Sequence, residues 1–156
     1  MIDSHIQQLL GRDEVNIDLN EIAAYLNDQV VLVTGAGGSI GSELSRQISR
    51  FSPQKVILLG RGEHSIYEID LDCRSHFPNA TYVPCIADIR DVNRMRQVFD
   101  EYRPQVVFHT AAHKHVDLIE PFPEEVVRNN IVGTRTVSTL AHESNTNRFV
   151  MISTDK

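Results

Sequence analysis

Apolar residues along this chain fall in short blocks, and each block is followed by a segment with helical spacing. Val/Ile/Leu-rich runs predict strands at residues 30–34, 55–59, 81–86, 105–108 and 148–152. Between them, a 3.6-residue periodicity predicts helices near 39–50, 64–77, 92–102 and 124–143. Strands that are apolar at almost every position are covered on both faces, as in a parallel sheet wrapped by helices. The expected architecture is an α/β, doubly wound parallel sheet, and right-handed crossovers give its five strands the order 3-2-1-4-5.

Residues 1–28 have a different character. A short helix over 4–10 ends at Gly11, residues 15–19 alternate apolar and polar, and a second helix runs over 20–26 with Asn20 as its N-cap. The expected division is a helical and extended lead-in, 1–28, and a nucleotide-binding domain, 29–156. A complete sheet of this class has about six strands, so the pattern stops before the last strands. The strand at 148–152 is then an open edge, and a homo-oligomer is expected from it, the alternative being a further segment that covers the edge.

The turn after the first strand carries the chemistry. Val-Leu-Val-Thr-Gly-Ala-Gly-Gly-Ser-Ile-Gly-Ser-Glu, residues 31–43, reads as strand, tight turn and helix, with glycines at 35, 38 and 41. Gly35 permits the turn out of the strand, Gly38 lets a pyrophosphate approach the backbone, and Gly41 lets the helix pack closely. Phosphates held there face free N–H groups and the positive end of a helix dipole. Thr34, Gly35, Gly37, Gly38, Ser39, Ile40 and Gly41 are the candidate cofactor-binding residues of this turn, in a Rossmann-like dinucleotide site.

Later strand ends refine the ligand. After the second strand, Arg61 and Ser65 stand where a 2′-phosphate is recognised, which favours NADP, while Glu63 leaves NAD open through the ribose hydroxyls. After the third, Asp88 accepts from an adenine amino group and Ile89 covers the ring, unless Asp88 only forms the turn; Asp91 is placed to cap the next helix. After the fourth, the small side chains of Ala111 and Ala112 allow close approach beside the second ribose and the diphosphate. His113, Lys114 and His115 read as lining a site for an anionic substrate, with Lys114 also counted among the cofactor contacts and surface loop polarity as the alternative. A His-x-His pair without further ligands at metal spacing does not make a metal site.

Bulk properties add exclusions. A net charge of -6 argues against nucleic acid as a partner. No apolar run approaches the roughly 20 residues of a membrane span, and the N-terminus lacks the layout of a signal peptide, so a cytoplasmic protein is expected. The two cysteines, Cys73 and Cys85, lack disulfide-framework spacing and read as reduced thiols.

Five segments together carry a resemblance to a family. Residues 31–43, Gly-Arg-Gly-Glu-His-Ser-Ile-Tyr-Glu-Ile-Asp (60–70), Ala-Ala-His-Lys-His-Val (111–116), Arg-Asn-Asn-Ile-Val-Gly-Thr (128–134) and Ile-Ser-Thr-Asp-Lys (152–156) resemble the nucleotide-sugar 4,6-dehydratases of polysaccharide biosynthesis, which are extended short-chain dehydrogenase/reductase proteins. The match is to the UDP-N-acetylglucosamine 4,6-dehydratase group, which includes the large membrane-anchored capsule and O-antigen proteins. It covers essentially the whole chain, including Leu9-Leu10-Gly11-Arg12.

The resemblance implies oxidation at the sugar C4 by hydride transfer, loss of water across C5 and C6, and return of the hydride to C6. It assigns Asp155 and Lys156 to the elimination and Thr154 to the C4 oxygen, with a UDP-sugar as substrate. Family members continue to a Tyr or Met and then a Lys about four residues later, followed by a substrate lobe. Both lie beyond the sequence given, so this polypeptide alone is expected to lack dehydratase activity. A cofactor- or partner-binding module without catalysis, and a nucleotide-sugar epimerase or reductase, are the alternatives; the Thr154-Asp155-Lys156 triplet separates a dehydratase from the latter.

Overall fold

The computed structural model describes residues 19–153. Helix α1 (Leu19–Leu26) is followed by β1 (Val30–Thr34), α2 (Ser39–Ser49), β2 (Lys55–Gly60), α3 (Glu63–His76), β3 (Tyr82–Ile86), α4 (Val92–Tyr102) and β4 (Val106–His109). Two single turns, α5 (Val116–Ile119) and α6 (Pro123–Val126), lead into a π-helical segment, Val127–Gly133, then α7 (Thr134–Glu143) and β5 (Arg148–Met151). All strand pairs are parallel, in the order β3-β2-β1-β4-β5 that the sequence predicts.

Every residue of β1 is buried, which is why its sequence shows no alternation. Its side chains point to opposite faces in turn and feed two separate cores. Leu32, Ile57 and Val107 pack under Met95, Phe99, Val137 and Leu140 of α4 and α7. On the other face Val31, Val33 and Val56 pack under Ile48, Ile66 and Ile69 of α2 and α3. Leu26 joins this second core, so α1 is docked on the sheet. Asn20 lies inside α1 and is not its N-cap, whereas Asp91 caps α4 by accepting from the Arg94 backbone N–H at 3.0 Å. The sequence stretches over 4–10 and 15–18 lie outside the described residues.

The largest departure from expectation is at residues 123–143. One regular helix is predicted; the structure inserts seven residues of π-helix between α6 and α7. Wide turns of this kind add a residue to a helix and concentrate at functional positions. Among the described residues, no helix is long and apolar enough to cross a membrane. Among the described residues β5 bonds to β4 alone, and Met151 is half exposed.

Candidate functional site

The chain turns from β1 leftward to β2 and β3, then returns to place β4 on the other side of β1. Between the C-terminal ends of β1 and β4 lies the point where strand order reverses, and ligands of open α/β sheets bind there. A cleft of about 340 Å³ opens at this point, within the range of small-molecule sites.

Its floor is the glycine turn. Gly35 adopts φ +71°, in the left-handed region that glycine enters without penalty, and a Cβ there would stand 2.8 Å from the Ala111 Cα. Beneath it, a Cβ on Gly41 would run into the Gly35 carbonyl oxygen. Helix α2 starts at once, with Gly38, itself a cleft residue, as N-cap and no side chain capping it, so no side chain competes for its first N–H groups, which are potential anion donors.

Of the sequence-derived cofactor residues, Gly35, Gly37, Gly38, Arg61, Ser65, Asp88, Ile89, Ala111 and Ala112 all line this one cleft. Thr34 and Gly41 are buried behind the turn, and Ser39 and Ile40 are exposed at the start of α2 without lining it. The basic loop divides. His113 lines the cleft, while Lys114 and His115 line a separate hollow with Val116, Asp117 and Leu118. The two histidines therefore do not converge, and no group of metal ligands occurs among the described residues. Thr154, Asp155 and Lys156 lie outside the described residues; β5, which precedes them, ends beside His109 of β4.

Electrostatically the cleft is uneven. Arg61 is exposed and has no ion-pair partner among the described residues. Asp88 is held below the usual carboxylate range, chiefly by hydrogen bonds from the Arg90 side chain. Burial, then the Arg61 and Arg90 charges, lowers the His113 pKa.

Several supporting residues have no role assigned from the sequence, although Asn129, Asn130 and Thr134 lie in the 128–134 segment that carries the family resemblance. His109, at the end of β4, is buried between two threonines: Nδ1 lies 2.7 Å from Thr34 Oγ1 and Nε2 2.9 Å from Thr134 Oγ1. Burial pushes its pKa down to about 4, so the ring is neutral, one nitrogen donating and the other accepting. Asn129 lines the cleft from the π segment. Its neighbour Asn130 accepts from the His113 N–H at 2.8 Å and donates to the His113 carbonyl at 2.8 Å.

That double bond makes Asn130 replaceable by neither Asp nor Ala. Asn130→Asp loses the donor and sets a carboxylate against the His113 carbonyl. A loss of about 2 kcal/mol in urea unfolding is expected, with faster hydrogen exchange at the His113 amide; unchanged exchange there would contradict the clamp.

The strand order, the glycine turn and the switch-point cleft define a Rossmann-like domain, with the fold of solved epimerases. Residues 31–156 match the family model for polysaccharide biosynthesis proteins, and the chain belongs to that family. It is 51% identical over 152 residues to the capsular polysaccharide biosynthesis protein CapD of Staphylococcus aureus, covering 97% of this chain and 25% of the relative. It is 48% identical over 155 residues to the probable polysaccharide biosynthesis protein EpsC of Bacillus subtilis, covering 99% and 26%. The chain thus spans about a quarter of the length of these relatives. A UDP-N-acetylglucosamine 4,6-dehydratase (inverting) of Campylobacter jejuni is 29% identical over 135 residues, covering 83% of this chain and 37% of the relative.

Among solved structures, Pen from Bacillus thuringiensis superposes with a TM-score of 0.72 at 30% identity, covering 81% of this chain and 39% of that one. The Bordetella bronchiseptica enzyme WbmH, solved in complex with NAD+, gives a TM-score of 0.57 at 27% identity, covering 78% and 37%.

Proposed function

We propose that this chain is the cofactor-binding part of a nucleotide-sugar 4,6-dehydratase of polysaccharide biosynthesis, with NADP as its cofactor and NAD as the alternative. The observation that carries the reading is the convergence of three strand-end segments, 35–38, 61–65 and 88–89, on one cleft against Ala111 and Ala112. The cradle is built tightly from two loops that meet at Gly37 and Ser65, both of which line the cleft. Gly37 has no Cβ, and one placed there would stand 2.5 Å from Ser65 Oγ. Relatives include a dehydratase of the same reaction class by name, and a solved neighbour holds NAD+.

In this reading Gly35, Gly37, Gly38 and the start of α2 hold the diphosphate. Asp88 and Ile89 take the adenine, and Arg61 with Ser65 takes a 2′-phosphate. A nicotinamide cofactor held there would supply the chemistry of taking up hydride from the sugar C4 and giving it back at C6. Thr154 binds near the C4 oxygen, and Asp155 and Lys156 move the protons that leave C5 and reach the departing C6 hydroxyl. The reading includes a UDP-sugar as substrate, His113 and His115 toward it, Lys114 toward the cofactor, residues 29–156 as the nucleotide-binding domain behind the lead-in 1–28, a cytoplasmic site of action and a homo-oligomer.

The test is a calorimetric titration of the chain with NADP and with NAD, alongside thermal melts. NADP is expected to bind at least several-fold more tightly, and Arg61→Ala to weaken NADP about tenfold while leaving NAD within about twofold, the scale of one lost charge-assisted contact. Equal affinities in the wild-type chain would reverse the NADP assignment. Absence of binding by either nucleotide would sink the cofactor reading itself.

A further inference from the structure

Asp88 lines the cleft, yet most of its hydrogen-bonding capacity is spent on one neighbour. The Arg90 backbone N–H donates to Oδ1 at 2.9 Å, Nε–H is shared between Oδ1 and Oδ2 at 3.0 Å each, and Nη2 donates to Oδ2 at 2.8 Å. A carboxylate has roughly four acceptor sites, so three N–H groups leave about one. The same guanidinium reaches the other way: its Nη1 donates to Glu125 Oε2 at 2.7 Å. Arg90 is not itself part of the cleft and lines a separate hollow with Glu125, Arg128 and Val132.

Glu125 belongs to α6, the start of the helical run that continues through Asn129 and Asn130. A second contact joins the same two regions. A Cβ on Gly133, at the end of the π segment, would stand 2.5 Å from Ile89 Cδ1, so this turn is packed directly on the residue next to Asp88. A planar guanidinium held between carboxylates on two elements has its orientation fixed, as a lysine ammonium would not.

We propose that Arg90 is a positioning residue for base selection: it turns the one remaining acceptor site of Asp88 toward an exocyclic amine, and through Glu125 ties that selection to the helical run that clamps His113. The site then takes an aminopurine and disfavours a purine with a carbonyl oxygen at that position. This rests on the cofactor reading above.

The experiment compares binding of NADP or NAD, whichever is tighter, with its analogue in which hypoxanthine replaces adenine. The wild-type chain is expected to prefer the adenine form about tenfold, the scale of one well-placed hydrogen bond. Arg90→Lys, which keeps the charge and loses the fork, reduces the preference to about twofold or less. Glu125→Gln gives an intermediate ratio, although residue 125 does not line the cleft, and carries the same test should Arg90→Lys fail to fold. A purely structural role would weaken both ligands equally; an unchanged ratio in both variants overturns the proposal while leaving the cofactor reading intact. So does a wild-type chain that binds the two forms equally. Failure of the wild-type chain to bind either form overturns the cofactor reading, and the selection by Arg90 with it.

Discussion

Replacing Gly41 by alanine lowers the unfolding free energy by about 3 kcal/mol, the upper part of the range for forcing a methyl into a packed site. The new Cβ meets the Gly35 carbonyl oxygen, and the Gly35 carbonyl carbon and Thr110 Oγ1 lie 2.8 Å from it. None of these atoms is free to withdraw. Gly35 is held by its left-handed backbone and by contact with Ala111. The Thr110 hydroxyl donates to the Thr34 carbonyl at 2.8 Å. Relief can come only by lifting α2 off the turn, which moves with it the N–H groups proposed to hold the diphosphate. The melting temperature and the nucleotide-induced shift should therefore fall together. A variant within about 1 kcal/mol of wild type would show that the turn yields more easily than its contacts imply.

Acidification produces the second large effect. The His109 pKa is depressed from its ordinary 6.5 to about 4 by burial. Between those values the unfolded chain binds a proton that the folded chain refuses, so stability is fully present above about pH 6.5 and falls as pH drops toward 4. A shift of this size is worth about 3 kcal/mol. His113 is displaced in the same direction, and Asp88 adds its own loss only below the ordinary carboxylate pKa of 3.8. Urea unfolding of wild type and His109→Gln at pH 7, 5.5 and 4 separates these contributions. The wild-type curve should fall more steeply over this range; parallel curves would mean that His109 is not the buried proton acceptor.

These two residues differ in how far the sequence reveals them. Gly41 is legible because the turn needs glycines at fixed offsets from a strand, and the strand itself is legible because Val30 to Val33 are apolar without interruption. His109 is not, since nothing in its local sequence indicates threonines 75 and 25 residues away on other elements. The same limit applies to Arg90 and Glu125, a pair 35 residues apart. The helix over 124–143 shows a different kind of limit. Hydrophobic periodicity finds the helix, but the wider winding of the seven-residue π segment changes the spacing too little to be seen in so short a window. Lys114 and His115 show a third kind of limit: a run of basic residues does not say where a loop bends, and here these two line a hollow apart from the one His113 lines, just before α5 begins at Val116.

Asn130 has one more consequence. Its amide gives a single residue, His113, both a donor and an acceptor, as a peptide group on a neighbouring strand would do. β4 ends at His109 and Thr110 still donates its backbone N–H to the Thr34 carbonyl of β1 at 3.1 Å, but among the described residues no strand pairs with the chain at His113. A side chain from a helix therefore acts as a one-rung extension of the sheet, carrying its backbone template past the last true strand residue and into the loop that walls the cleft.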